Sequence, residues 1–180
     1  MHGAILAELH KYVDAKFGEA TWTDLLQRAG RAGKEYDPLG DYPDEDATAL
    51  VSTASAMTGA PVTKLLGDFG EFIAPELLKM FWGAIEPEWK TLDVLLHAED
   101  TIHRIVRLNS PHARPPKLRC ERPQEKVVQI RYDSPRKMCS LATGLIRGIA
   151  RHYGESVDVE EPACMHRGAD ACLIRVTRKP

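Results

Sequence analysis

A proline-rich segment at residues 109–126, NSPHARPPKLRCERPQEK, restricts the possible folds of this chain more than any other feature. Its four prolines rule out a continuous helix, so we predict an extended linker there. Apolar residues recur at helical spacing before the segment and alternate with polar residues after it. The chain is therefore predicted to be α+β, with helices first and then a small antiparallel sheet with packed helices.

The first part of the chain, residues 1–90, is predicted to be helical around one loop rich in Gly, Pro and Asp. The first helix carries Ile5, Leu9, Tyr12 and Val13 at helical spacing. This first helix is predicted to end at Gly18. Two further helices are predicted at 22–29 and 44–57, a fourth begins at Pro61, and a fifth, beyond residue 90, spans 91–108.

Three strands are predicted after the linker. In VVQIRY, the residues Val128, Ile130 and Tyr132 share one face at the period of two that is typical of a strand. The segments SVDVEE and ACLIRVT predict two further strands on either side of the loop CMHRGAD. After the first strand, Ser134 is predicted to cap a helix that Pro135 opens and that continues to about residue 153.

Length and composition favour a single domain. With 180 residues, 43% of them hydrophobic, residues 1–180 can bury one core, with a helical part at 1–90 and the remainder at 91–180. Neither a basic leader with a cleavage site nor a run of roughly 18 apolar residues occurs, which predicts a cytoplasmic protein with no membrane partner. Four cysteines are too few for a disulfide scaffold, which leaves buried thiols, metal ligands or redox-active groups.

Charge is distributed unevenly, with an acidic excess in residues 1–100 and a basic excess in residues 101–180. Complementary halves and ordinary solvated surface explain this pattern, and no recognisable nucleic-acid reading helix accompanies the basic part. We therefore expect no nucleic-acid partner. The chain also contains no Ser/His/Asp ordering, phosphate loop or paired-carboxylate arrangement, so we predict that it is not an enzyme.

His103 is the first candidate for a ligand. At about 100° per residue it shares an apolar stripe of the 91–108 helix with Leu92 and Leu96, whereas His97 lies about 120° away. A histidine on such a stripe is either a hydrogen-bonded core residue or a metal ligand. If one histidine of this helix faces the interior, it is His103.

The second group of candidate residues is Tyr132-Asp133-Ser134-Pro135-Arg136, a pattern that predicts an anion-binding site. A helix N-terminus offers free N–H groups, the guanidinium adds a forked cation, and the Ser and Tyr side chains offer hydroxyls. Plain helix capping is the alternative. Together with an apolar-face histidine, the site suits a flat hydrophobic disc with iron at its centre and two carboxylates on its edge.

These features occur together in a known family, because the chain resembles the haem nitric oxide/oxygen-binding (H-NOX) domains over essentially its whole length. The shared features are the start Met1-His2-Gly3, the helix with His103, the double proline Pro115-Pro116 and the Tyr-x-Ser-x-Arg motif at Tyr132, Ser134 and Arg136. The resemblance implies a haem b, with His103 as the proximal ligand of the iron and Pro116 pressing on the porphyrin. It also implies that Tyr132, Ser134 and Arg136 hold the haem propionates.

The resemblance further implies which residues line the distal side of the haem. They are Ile5, Leu9, Ile73, Leu77, Leu141 and Leu145. None of these side chains can donate a hydrogen bond, and relatives that hold dioxygen have a tyrosine at the position of Leu141. Bound dioxygen needs such a donor, whereas nitric oxide binds ferrous iron without one. The predicted gas ligands are therefore nitric oxide and carbon monoxide.

Three cysteines form a second candidate site. Cys164 and Cys172 flank the loop of the predicted hairpin, and the helix before it adds Cys139. Three thiols from separate elements suggest zinc, and the alternative is a set of inert buried cysteines. Cys120, in the linker, has no evident partner.

One subgroup of H-NOX proteins resembles this chain at the three cysteines, where it holds a zinc ion. At residue 161 that subgroup has Cys or His, whereas this chain has Glu161. The fourth ligand is therefore Glu161, His166 or water.

The predicted function is a haem-based nitric oxide sensor. We expect gas binding to strain or break the bond to His103 and to shift the helical part of the chain against the sheet part. The resemblance implies that the chain regulates a separate partner, often a histidine kinase or a cyclic-di-GMP enzyme. The alternative is a thiol/zinc redox sensor or interaction module in which haem is incidental.

Overall fold

The computed structural model describes residues 1–110 and 113–180, so residues 111–112 of the predicted linker lie outside the described part. The helices are α1 (Gly3–Phe17), α2 (Ala20–Arg28), α3 (Asp44–Thr58), α4 (Val62–Met80), α5 (Thr91–His97), α6 (Arg104–Asn109) and α7 (Cys139–His152), with a π-helical turn, Glu99–His103, between α5 and α6. The strands are β1 (Lys117–Gln124), β2 (Val127–Asp133), β3 (Val157–Ala163) and β4 (Cys172–Arg178). They form an antiparallel sheet in the order β1-β2-β4-β3, which confirms the predicted α+β class.

The helices predicted within residues 1–90 are confirmed, whereas the helix predicted at 91–108 is interrupted by the π-helical turn. Local chemistry accounts for where the helices end. α1 begins after His2, whose Nδ1 accepts a hydrogen bond from the Ala4 N–H at 3.2 Å, and it ends at Gly18. α3 ends at Gly59, whose φ of 70° closes a helix without a Cβ clash. Pro61 immediately precedes α4. Within the described ranges, no helix has both the length and the apolar character that a membrane crossing requires.

The prediction of a linker up to residue 126 was wrong, because residues 117–124 form strand β1. β1 lies at the edge of the sheet, and its register with β2 shifts between Glu121 and Gln124, where Pro123 lies. Proline is tolerated at such an irregular edge because it has no N–H to contribute to the ladder. Pro123, one of the prolines that indicated a linker, is therefore compatible with a strand.

The predicted start of α7 was also wrong. The helix begins at Cys139 rather than at Pro135, and Ser134 is not its N-cap. Residues 134–137 form a turn in which the Lys137 N–H donates to the Ser134 carbonyl at 3.0 Å. Lys137 has a φ of 50°, in the left-handed region, so helical geometry cannot continue through it from Pro135.

Two hydrophobic clusters meet at α7. One, the helical cluster, contains side chains of α1 to α4 and of one face of α7, and the other, the sheet cluster, contains the inner face of the sheet, α5 and another face of α7. α4 and α7 cross with their backbones in contact. A Cβ on Gly144 would lie 2.1 Å from the Gly67 carbonyl oxygen, and one on Gly70 would lie 2.4 Å from the Leu141 carbonyl oxygen. The spacing between the two helices therefore depends on glycine.

The substitution Gly144→Ala should separate α4 from α7 and destabilise the fold. The added methyl cannot fit without a backbone shift, and overpacking of this kind costs about 1–3 kcal/mol, more than the gain in helix propensity. The measurement is the urea midpoint. Gly83→Ala is the matched control, because a Cβ there meets nothing within 4 Å, and it should leave the midpoint nearly unchanged. Equal midpoints for the two variants would show that the close packing of α4 against α7 does not contribute to the stability of the fold.

Candidate functional site

His103 is the last residue of the π-helical turn, and its side chain is half-buried. Its backbone N–H donates to the Ala98 carbonyl at 2.9 Å, and its side chain is 17% exposed. The ring Nδ1 lies 3.0 Å from Oε2 of Glu99. Burial lowers the pKa of His103 below its usual range, although Glu99 and the Pro116 carbonyl act in the opposite direction. The neutral ring with Nδ1–H bonded to Glu99 leaves the Nε2 lone pair for a metal.

Glu99 was not predicted as a site residue. Its carboxylate accepts hydrogen bonds from His103 Nδ1, from Arg107 Nη2 at 2.5 Å and from the Leu118 N–H at 3.0 Å. Burial raises the pKa of Glu99, but the bonds from these three groups outweigh it and leave the pKa below its usual range. The sequence signal for this contact was the spacing of four residues between Glu99 and His103, which places two helical side chains next to each other.

His97 lies apart from His103. Its ring stacks on the ring of Trp89, with centroids 4.6 Å apart and planes 18° from parallel. The two histidines of this helical segment thus have different partners, and the π turn departs from the regular period that the helical wheel assumes.

The three residues of the Tyr-x-Ser-x-Arg motif lie at the end of β2 and in the turn after it. Tyr132 is buried between its register partners Leu118 on β1 and Cys172 on β4. Burial raises its pKa to about 12, although the Ser134 hydroxyl and the Arg136 guanidinium both lower it. Tyr132 is therefore a neutral hydroxyl donor at physiological pH.

Ser134 and Arg136 are held by the turn itself and by α3. The Ser134 Oγ accepts the Arg136 N–H at 3.4 Å, and Ser134 is buried. The guanidinium, 12% exposed, donates to both Asp44 carboxylate oxygens at 3.3 and 3.4 Å and to the Arg114 carbonyl at 2.6 Å. Asp44 therefore already shares this guanidinium, whose five donors also permit a second carboxylate.

The predicted distal residues all belong to the helical cluster. Leu9 and Ile73 are buried in it, and the partly buried members at its margin are Ile5, Leu77, Leu141 and Leu145. Tyr12, in the same cluster, has a buried phenol oxygen without a hydrogen-bond partner among the described residues, and it packs against Phe69 and Phe72. Sequence reasoning assigned Tyr12 only to a helix.

The donor set fits a haem. A neutral imidazole whose Nδ1 is bonded to Glu99, two buried hydroxyls beside a guanidinium, and apolar side chains of partial exposure suit the iron, the propionates and the porphyrin faces respectively. Pro116 is half-buried, immediately precedes β1, and has its carbonyl within reach of the His103 ring.

The three predicted cysteines lie close together, and the carboxylate of a fourth residue lies beside them. The thiols of Cys139, Cys164 and Cys172 and a carboxylate oxygen of Glu161 all lie within 4.8 Å of one another. The Cys164 sulfur lies 3.7 Å from each of the other two sulfurs. A tetrahedral zinc with bonds of about 2.3 Å separates its sulfurs by about 3.8 Å. The two distances to the Cys164 sulfur therefore match a zinc tetrahedron.

Of the proposed fourth ligands, Glu161 lies in the cluster and His166 does not. Glu161 Oε1 is buried and has no hydrogen-bond partner among the described residues, whereas His166 Nε2 lies 2.7 Å from the Lys137 carbonyl. Burial and the nearby Glu161 raise the pKa of Cys139, and burial raises the pKa of Cys172 to about 11. Without a cation these thiols are protonated. A carboxyl group and three thiols thus surround a position suited to a cation.

Comparison with known proteins gives consistent results. A family model described as Haem-NO-binding matches residues 2–161. The chain is 24% identical over 163 residues to the soluble guanylate cyclase gcy-31 of Caenorhabditis elegans, and 24% identical over 156 residues to gcy-32 of the same organism. These matches cover 89% and 84% of this chain but 23% of each relative. The chain thus spans about a quarter of the length of these curated relatives.

Solved structures share the fold. An H-NOX protein from S. oneidensis in the Fe(II)NO ligation state superposes with a TM-score of 0.93 at 23% identity, with 100% of both chains covered. The unliganded Fe(II) H-NOX protein from K. algicida superposes with a TM-score of 0.87 at 21% identity, covering 100% of this chain and 97% of that one. At these identities the likeness concerns the fold.

Proposed function

This chain belongs to the haem-NO-binding family, and from that premise we propose that it is a nitric oxide sensor that holds a haem b between its helices and its sheet. The observation that carries the proposal is His103, a half-buried neutral imidazole whose Nδ1 is engaged by Glu99. When bound, the haem would supply a ferrous iron that takes up nitric oxide or carbon monoxide.

The chain's own residues divide the remaining tasks. His103 would bind the iron through Nε2, while Tyr132, Ser134 and Arg136 would hold the propionates with two hydroxyls and a guanidinium. Pro116, next to the His103 ring, would press on the porphyrin. The leucine and isoleucine side chains of the helical cluster would cover the distal side and exclude water.

Two contacts support a route for the signal within the chain. Glu99 joins the His103 ring to the Leu118 N–H of β1, so a displacement of His103 is passed to the sheet. Arg136 joins the end of β2 to Asp44 of α3, so the same region is tied to the helical cluster. We propose that residues 1–90 and 91–180 shift against each other when His103 moves.

One absorption spectrum series tests the proposal. The purified protein should show a haem Soret band that moves on reduction and moves again when nitric oxide or carbon monoxide is added to the ferrous form. Protein that carries no haem after expression with added haem precursor would contradict the proposed function.

The ferrous protein should bind nitric oxide and carbon monoxide but form no stable complex with dioxygen in air. None of the six predicted distal side chains can donate a hydrogen bond to the outer oxygen. Leu141→Tyr supplies a phenol on α7 and should stabilise the dioxygen complex by about 1 kcal/mol, or roughly fivefold, if the geometry is met. The measurement is the dissociation constant for dioxygen.

The control for this prediction is Tyr12→Phe, which removes the unpartnered phenol of the helical cluster. It should leave gas binding unchanged. A stable dioxygen complex in the native protein that disappears in Tyr12→Phe would overturn the assignment of the six residues as the complete distal lining.

We propose that the chain is not itself an enzyme and that it signals through a separate partner, a histidine kinase or a cyclic-di-GMP enzyme. The relatives it matches are cyclases of which it spans 23%, which supports a sensing role separate from catalysis. A cytoplasmic location is part of the proposal, because a thiol metal site needs the reduced thiols that this compartment maintains.

A second site is proposed at the thiol cluster, where Cys139, Cys164, Cys172 and Glu161 would hold one zinc ion. The specific observation is the 3.7 Å distance from the Cys164 sulfur to each of the other two sulfurs, together with a buried Glu161 oxygen that has no partner among the described residues. Thiols of this kind can also be oxidised to a disulfide, which supports a redox-sensing role beside gas sensing.

A further inference from the structure

The carboxylate of Glu99 is bonded to groups from three parts of the proximal side. Oε2 lies 3.0 Å from His103 Nδ1 and 3.0 Å from the Leu118 N–H, while Oε1 lies 2.5 Å from Arg107 Nη2. The Glu99 side chain is 23% exposed, so solvent screens these bonds only in part. An anionic acceptor therefore sits on the nitrogen of His103 that faces away from any metal.

We propose that Glu99 is a positioning residue that sets the strength of the bond between His103 and the haem iron, an inference that rests on the proposed function. A carboxylate that accepts the Nδ1 proton raises the electron density at Nε2 and makes the imidazole a stronger donor to a metal. It also fixes the tautomer and the plane of the ring.

Arg107 and Leu118 moderate this effect. Both donate to the carboxylate that His103 also uses, and the cationic Arg107 draws negative charge away from the bond to Nδ1. The strength of the proximal bond would thus be an intermediate value set by the competition among three donors. Removing Arg107 should strengthen the bond, and neutralising Glu99 should weaken it.

The π turn explains why the contact is mechanically coupled to the sheet. The His103 N–H reaches back five residues to Ala98, which widens the helix where Glu99 and His103 face the start of β1. The Leu118 N–H belongs to an edge strand, and the Glu99 carboxylate satisfies it. Movement of the His103 ring would therefore change a bond that holds β1.

The test compares three variants of the haem-loaded full chain. Glu99→Gln keeps the shape and removes the charge, Arg107→Met removes the competing cation, and Asp100→Asn is the control, an equal charge change at an exposed neighbour. The readouts are the iron–histidine stretching frequency of the ferrous protein, measured by resonance Raman spectroscopy, and the midpoint potential. Neither readout depends on signalling activity.

Glu99→Gln should lower the stretching frequency and raise the midpoint potential. Changes to groups that support a metal ligand typically cost about tenfold or more in metal affinity. A loss of about tenfold in the affinity for ferric relative to ferrous iron raises the midpoint potential by about 59 mV for one electron. Arg107→Met should shift both readouts the other way, and Asp100→Asn should shift neither.

Two outcomes would overturn the inference in distinguishable ways. Equal readouts for Glu99→Gln and Asp100→Asn, with an iron–histidine band present in the native protein, would refute the role of Glu99 alone. Absence of that band from the native ferrous protein would refute His103 as the ligand, and the proposed function with it. If Glu99→Gln fails to retain haem, an unchanged frequency in Arg107→Met would still refute the role.

Discussion

Replacing His103 with glycine should remove most of the haem from the purified protein and make haem retention depend on added imidazole. The His103 ring is half-buried, neutral and bonded to Glu99 through Nδ1, so Nε2 is the donor atom that the substitution removes. Glycine leaves a space of the size of the ring, which free imidazole can enter to supply the missing donor. The measurement is the ratio of haem to protein with and without imidazole.

His97→Gly is the control for this result. His97 lies on the same helical segment but stacks on Trp89, so its removal should leave haem content unchanged. Similar haem loss in both variants would mean that the helix, rather than one ring, is responsible. Full haem content in His103→Gly without imidazole would exclude His103 as the ligand.

The fold class followed from periodicity, and the errors arose where a tertiary contact outweighed a local rule. The prolines around β1 favoured a linker. Pairing with β2 nevertheless makes this segment a strand, and Pro123 is tolerated because it lies at the edge of the sheet where the register is irregular. The motif Ser134-Pro135 favoured a helix start, but Lys137 adopts a left-handed conformation that no local rule indicates for lysine.

The candidate site was predictable in its residue types but not in its supporting contacts. The helical wheel placed His103 and His97 on different sides of one helix, and in the structure the two rings have different partners. The π turn, the bond from Leu118 to Glu99 and the bond from Arg136 to Asp44 join elements distant in sequence. Such contacts depend on how elements pack, which a single sequence does not specify.

The thiol cluster was predicted from topology, because two cysteines at the ends of one hairpin loop must lie close together. What topology left open was the fourth group, and the structure brings Glu161 rather than His166 to the thiols. One oxygen of the carboxylate is buried without a described partner, while Arg167 Nη1 lies 3.7 Å from the other oxygen. An unpaired buried oxygen is costly, and this cost, together with the three nearby thiols, is the physical reason to expect an ion there.

Protein purified without chelators should contain about one zinc per chain, and Cys164→Ser or Cys172→Ser should abolish it. Structural zinc contributes about 10–16 kcal/mol to the folding of zinc-finger peptides. Here the sheet already has a hydrophobic core, so we expect loss of zinc to reduce the free energy of unfolding by less than that. For a chain of this size the melting temperature should fall by roughly 2–4 °C for each kcal/mol lost. Zinc affinity should rise with pH, because the raised pKa values mean that binding displaces thiol protons.

Two pairs of variants separate a zinc site from ordinary buried thiols. Cys120→Ser should keep the zinc, because Cys120 lies on β1 outside the cluster, and Glu160→Ala, at an exposed neighbour of Glu161, should keep it as well. Glu161→Ala should weaken zinc binding by about tenfold or more, because it removes a direct ligand and loss of a group that only supports a ligand already costs about that much.

Cys139 is the first residue of α7, whose Leu141 and Leu145 lie in the helical cluster, so zinc loss should also shift the Soret band of the haem-loaded protein. Chains without zinc, or zinc retained in both Cys164→Ser and Cys172→Ser, would leave these residues as inert thiols and would disconnect the cluster from the gas site.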